Sequence, residues 1–133
     1  MKFYAAHART FDFESEWYSP LREIGTELGI EFVFPHENSD CPKNSKNDIK
    51  MYDGVIAEVS HPSTGLGIEL GWADALGVPI ILVHRANATV SSAVLSLTEH
   101  IVDYSSLEEF TTRLSQKIRL VSGGKYEQPA ENR

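Results

Sequence analysis

Residues 53–71, reading Asp-Gly-Val-Ile-Ala-Glu-Val-Ser-His-Pro-Ser-Thr-Gly-Leu-Gly-Ile-Glu-Leu-Gly, hold the residue types and spacing that could do chemistry. Gly54, Val55, Ile56, Ala57 and Val59 surround one acid, Glu58, as in a strand covered on both faces. The loop 61–67 follows at the carboxyl end of that strand, the edge at which open α/β sheets bind ligands. A helix then starts, with Glu69 just inside it. A carboxylate beside a glycine-rich turn suits nucleophilic or acid–base work on a small molecule. The backbones of Gly65 and Gly67 can come close to a ligand, and N–H groups at a helix start favour an anion. The same spacing has a plainer reading, in which Glu69 answers the helix dipole and Ser63 caps the helix. Glu58 reads as a salt-bridged or edge-exposed glutamate.

The elements that must position these residues follow from periodicity and punctuation. Residues 2–6 read as a strand and 11–28 as a helix, with Phe13, Trp17, Leu21, Ile24 and Leu28 at helical spacing and Gly29 as its cap. Residues 30–34 form a second strand closed by Pro35. The polar stretch 36–47 reads as a surface loop, and loops of this length often carry function. A helical turn over 48–52 precedes the central strand. Helix 65–76, strand 78–84, a brief helix over 91–98, strand 100–104 and helix 107–121 complete the pattern. Strands alternating with helices predict an α/β fold, a three-layer Rossmann-like (flavodoxin-like) domain with a mostly parallel sheet of about five strands. That domain occupies residues 1–121, and 122–133 read as a polar tail.

The bulk numbers narrow the chemistry. With 133 residues the chain supplies one domain with a core of its own, and its 41% hydrophobic and 23% charged residues are ordinary for a soluble protein. A formal charge of -7 argues against nucleic-acid binding, which wants a basic face. No apolar run of signal-peptide or membrane length is present, and the single Cys41 cannot form an internal disulfide, so the expected setting is cytoplasmic. His7, His36, His61, His84 and His100 lack the close spacing of a helical metal site. Gly65-Leu66-Gly67 lacks the third glycine of a dinucleotide fingerprint. No metal or organic cofactor is implied.

The stretch from Asp53 through Trp72 and Ala73 resembles the nucleoside 2-deoxyribosyltransferase family, and most closely its branch of 2'-deoxynucleoside 5'-phosphate N-hydrolases. The resemblance is strong over 53–85 and loose elsewhere. It implies that Glu69 is the nucleophile and that Ser63 contacts the 5'-phosphate of the substrate. The hydrolases have a Gly-Ser-Ile-Arg-Gly-Gly loop around the phosphate after the first strand. Arg9 falls on its arginine, and Ala6 and His7 fall on its Gly-Ser pair, so His7 and Arg9 are the expected donors there. The tyrosine that points at the nucleophile falls on Phe3, with Tyr4 beside it on the opposite side of the strand. The family's second acid, about eight residues before Asp53, falls on Ser45. Asp48, after Asn47, takes that role if the preceding helix is shortened, and Asp40 is a fallback. As a residue with an alternative use, Asp48 also suits a helix N-cap. Ser92 resembles a serine that reaches into the neighbouring subunit's site, which implies a homodimer, and it could equally be a capping serine.

The expected function is therefore an N-glycoside hydrolase of (2'-deoxy)nucleoside 5'-monophosphates, with Glu69 and Asp48 catalytic. Ser63, Gly65, Gly67, His7, Arg9, Tyr4 and Ser92 are expected to bind substrate. Alternatives are base exchange by a deoxyribosyltransferase, and a non-catalytic nucleotide-binding module that the serine at position 45 would explain. The expected partner is a small nucleotide or nucleoside.

Overall fold

The computed structural model describes residues 1–37 and 46–123. Strands β1 (Lys2–His7), β2 (Glu31–Val33), β3 (Gly54–Glu58), β4 (Ile80–Arg85) and β5 (Ile101–Tyr104) form one sheet in the order β2-β1-β3-β4-β5. Every neighbouring pair is parallel, so the sheet is parallel throughout rather than mostly. The chain leaves β1 toward β2 on one side and returns to β3 on the other. Strand order thus reverses between β1 and β3, which opens a crevice at their carboxyl ends.

Helices cover both faces. Helices α1 (Ser19–Leu28) and α5 (Leu107–Ser122) pack on the face that carries Phe3, Ala5, Ile56, Ile81 and Val102. Helix α3 (Thr64–Ala75), with the short α2 (Lys46–Ile49) and α4 (Ser92–Leu95), covers the face of Tyr4, Ala6, Val55, Ala57 and Leu82. The fold class read from the sequence is the observed one, a three-layer flavodoxin-like domain.

Local details differ from expectation, among them the helical turn read over 48–52, which the structure places at Lys46–Ile49. The helix predicted over 11–28 starts late: a wide π-type turn at Glu14–Tyr18 leads into α1, and Phe11 and Phe13 stand outside it. Pro20 has no N–H to offer the Glu16 carbonyl, so the regular ladder cannot extend back through this point. Gly29, at φ 71, does end α1 in the left-handed conformation expected of it. At the other end of the chain, α5 runs on to Ser122. Asp40, Cys41, Ser45 and the tail from 124 lie outside the described residues. Among the described residues no helix is long and apolar enough to cross a membrane.

Candidate active site

The site is assembled by the β1–β3 pair and the start of α3. Ser63, extended at φ -158, is the N-cap of α3, and its hydroxyl accepts from the Leu66 N–H at 3.4 Å. This cap sets the direction in which α3 leaves the sheet and places Glu69 in its second turn. The side chain of Glu69 returns over β1, where the Tyr4 hydroxyl donates to its Oε2 at 2.7 Å. Tyr4 is 1% exposed and its ring stacks on that of Tyr52, with centroids 5.5 Å apart and planes 4° from parallel.

Burial raises the pKa of the Glu69 carboxyl above the usual glutamate value, and the Tyr4 hydrogen bond works against that rise. The Tyr4 hydroxyl is itself pushed well up, by burial and then by the neighbouring Glu69 charge, so it remains a neutral donor. Tyr52 is also raised, first by burial and then by Asp48 and Glu69 together. One phenol therefore feels both acids. Asp48, half-buried on α2, reaches the same electrostatic environment as Glu69. Asp48 and Glu69 thus both act on Tyr52, and Glu69 accepts a hydrogen bond from the buried Tyr4 phenol.

The tyrosine that reaches Glu69 is Tyr4, not position 3. Phe3 lies on the opposite face of β1, packed against Phe32 and over Gly54, where an added Cβ would sit 2.6 Å from its ring.

Both ring nitrogens of His7, expected to meet the phosphate, are engaged within the fold. Its Nδ1 lies 2.6 Å from the Ala8 carbonyl, which can only accept, so the ring proton sits on Nδ1. Its Nε2 accepts from the Tyr18 hydroxyl at 2.7 Å, and the ring is 5% exposed. No N–H is left for a ligand. The ring instead anchors an aromatic cluster with Phe11, Phe13, Tyr18 and His36, and Phe11 in turn stacks on His61 at 4.6 Å. Burial lowers the pKa of His7 to about 4. A folded-state value below the ordinary one of about 6.5 gives stability that is present above that ordinary value and lost as pH falls toward 4. The melting temperature therefore declines from pH 6.5 to pH 4, and in a His7→Gln variant this decline is shallower in calorimetry over the same range.

Arg9 is exposed in the loop after β1 and close enough to act electrostatically on His7. Gly65 and Gly67 face open space: among the described residues nothing lies within 4 Å of a Cβ added at either. Neither has a positive φ, so the chain's own folding does not demand glycine there. Ser92 is exposed in the first turn of α4, and the cap of that helix is Ser91, whose hydroxyl accepts from the Val94 N–H. Asp53 sits at the far, amino end of β3, where its carboxylate accepts from the Lys2 backbone N–H at 2.7 Å. Glu58 is neither ion-paired to a described residue nor at an exposed edge. It is 1% exposed and bonded to Ser60 and Tyr104. Among the described residues no cluster of three or more His, Cys, Asp or Glu could hold a metal ion.

Sequence reasoning passed over Tyr52 and the Phe11–His61 pair. Tyr52 lies between two elements and carries no periodic signal, and its importance comes only from stacking on a ring 48 positions earlier.

Comparison with known proteins bears on what this arrangement does. No family model matches the chain. A protein of Methanosarcina mazei that carries the name of a 2'-deoxynucleoside 5'-phosphate N-hydrolase is 30% identical over 98 residues, 67% of this chain and 61% of the relative. The 5-hydroxymethyl-dUMP N-hydrolase of Rattus norvegicus is 40% identical over 65 residues, 49% of this chain and 36% of the relative. The matched stretches thus span less than two thirds of these curated relatives. The solved structure of the CMP N-glycosidase of Clostridium botulinum is 26% identical, with TM-score 0.64, and the match covers 86% of this chain and 98% of that one.

Proposed function

From its kinship with the nucleoside 2-deoxyribosyltransferase family, we propose that this chain is an enzyme, an N-glycoside hydrolase that cleaves the base–sugar bond of (2'-deoxy)nucleoside 5'-monophosphates with Glu69 as nucleophile. The observation that carries the reading is the buried Tyr4 hydroxyl donating to Glu69 Oε2, with Asp48 and Tyr52 alongside. That hydrogen bond orients the carboxylate and leaves Oε1 to act. The names of the relatives above, two N-hydrolases and an N-glycosidase, support the same reaction class.

In this reading Glu69 Oε1 forms a bond to C1' while the C1'–N bond breaks, and positive charge that develops on the sugar is met by the carboxylate. The departing base takes a proton from the second acid, Asp48. Water then attacks C1', gives its proton back to Asp48 and releases Glu69. Ser63, the open backbone at Gly65 and Gly67, and Arg9 would hold the 5'-phosphate at the start of α3. His7 has no donor to spare and is assigned a place in the aromatic wall instead.

A second copy of the chain belongs to this proposal. Helix α3 is apolar on almost every side, and Ile68 stands 49% exposed on it, a pattern that usually means further burial. A homodimer formed over this helix would bring the exposed Ser92 toward the neighbouring site.

One observation favours a second reading, exchange of bases on unphosphorylated nucleosides. The loop after β1 offers aromatic rings where a phosphate cradle was expected. The test is base release from a panel of purine and pyrimidine nucleosides and 5'-monophosphates, with and without a second free base. Release from monophosphates, lost in Glu69→Ala, supports hydrolysis. A new nucleoside formed only with added base favours exchange, and tight binding without release favours a non-catalytic module.

A further inference from the structure

Glu58 is the acid that the proposed chemistry leaves unused. It interrupts an apolar strand, it is 1% exposed, and burying such a group without partners is costly. Its partners are specific. Oε1 accepts from the Ser60 backbone N–H at 2.7 Å, and Oε2 accepts from the Ser60 hydroxyl at 3.0 Å and the Tyr104 hydroxyl at 2.6 Å. The Ser60 oxygen accepts in turn from the Arg85 backbone N–H at 2.8 Å. One carboxyl group thus joins the carboxyl ends of β3, β4 and β5, reaching β4 through Ser60 and β5 directly through Tyr104. Ser60 is where the chain leaves the sheet, and only His61 and Pro62 separate it from the cap residue Ser63. Within the loop, Pro62 has no N–H to donate and His61 stacks on Phe11.

We propose that Glu58 is a positioning residue, fixing Ser60 so that the loop 61–63 presents Ser63 and the first N–H groups of α3 to the 5'-phosphate of the substrate. The role in binding rests on the function proposed above, whereas the role in fixing the loop does not. Glu58 touches no substrate. It acts through Ser60, and Tyr104 supplies the anchor from β5.

Glu58→Gln keeps the volume and places an amide N–H₂ against one of the donors, so the pattern of three donors to two oxygens fails. Tyr104→Phe removes one donor and adds nothing. Two readouts test the proposal at a temperature well below melting. In the first, hydrogen exchange at the Leu66 and Gly67 amides, which bond to Ser63, is compared with exchange at β-strand amides. We expect roughly tenfold faster exchange at Leu66 and Gly67 in Glu58→Gln, with the strand amides unchanged, and a smaller effect of the same kind in Tyr104→Phe. A uniform rise over the whole domain, or no change at Leu66 and Gly67, overturns the proposal.

The second readout is kinetic. Glu58→Gln raises KM for the monophosphate about tenfold with little change in kcat, and the double variant with Ser63→Ala is no worse than Ser63→Ala alone. An equal fall in kcat with KM intact, or fully additive losses, overturns the link to the phosphate. If the unaltered chain releases no base, the proposed function fails, and the exchange experiment still decides whether Glu58 fixes the loop.

Discussion

A Glu69→Gln variant loses base release by on the order of a thousandfold or more, as the proposed attack of Glu69 on C1' requires. The same variant melts no lower than the parent at pH 7, and this second half of the result separates a catalytic role from a structural one. The Glu69 carboxyl is raised above its ordinary value because burial disfavours its charge. A carboxyl raised by folding binds its proton more tightly in the folded chain than in the unfolded one. Ionising it therefore costs stability, and the cost grows as pH rises through the ordinary glutamate value and on to the raised one. Glutamine never ionises, and its Oε1 can still accept from Tyr4. The melting temperature of Glu69→Gln thus equals or exceeds that of the parent at pH 7, and the difference closes at pH 4. A variant that keeps its activity, or one that melts lower at pH 7, would remove Glu69 from the reaction. The acid is then held at this place for function at some expense of stability, as active-site groups often are.

How much of this could be read beforehand depended on the range of the interaction. Capped helix ends were legible, because a cap such as Gly29 or Ser63 acts on its own turn. The sheet was legible because buried parallel strands are apolar on both faces. The choice between Phe3 and Tyr4 was not. One residue in a strand changes the face on which a side chain stands, and nothing near position 3 says which face meets α3. The answer lies in pairing, with Phe3 opposite Gly54 and Tyr4 opposite Val55, and in the groove that Gly54 leaves for the Phe3 ring. Glu58 was misread for a similar reason. An acid in an apolar strand suggests a cation or an open edge, and its partner is a tyrosine 46 positions later on a strand two places away. His7 suited a phosphate until its two ring nitrogens were accounted for, and both partners, Ala8 and Tyr18, are set by the backbone path rather than by any motif. In each case the residue type was informative and its direction was decided by tertiary structure.

Tyr4 gives the sharpest test of how the site is tuned, because it is the group that lowers the Glu69 value while burial raises it. Removing the hydroxyl in Tyr4→Phe leaves burial unopposed, so the Glu69 pKa moves further up. A nucleophile must be ionised, and the acid limb of the kcat profile follows its pKa. That limb moves to higher pH in Tyr4→Phe, by about one unit, the amount that loss of a charged-group hydrogen bond of about 1.5 kcal/mol would produce. Activity at neutral pH falls roughly tenfold or more, the deficit is largest on the acid side, and it narrows as pH rises. A loss that is the same at every pH would instead mean that the hydroxyl meets the substrate and leaves the Glu69 charge alone. Asp48→Asn serves as the comparison, since it removes a proton donor without touching the Tyr4–Glu69 hydrogen bond. Its deficit is greatest for bases that need protonation to leave, and its acid limb stays with the parent's. If Tyr4→Phe and Asp48→Asn give the same profile, the two acids do not have separate tasks, and the division of labour drawn from the Tyr4 hydrogen bond fails.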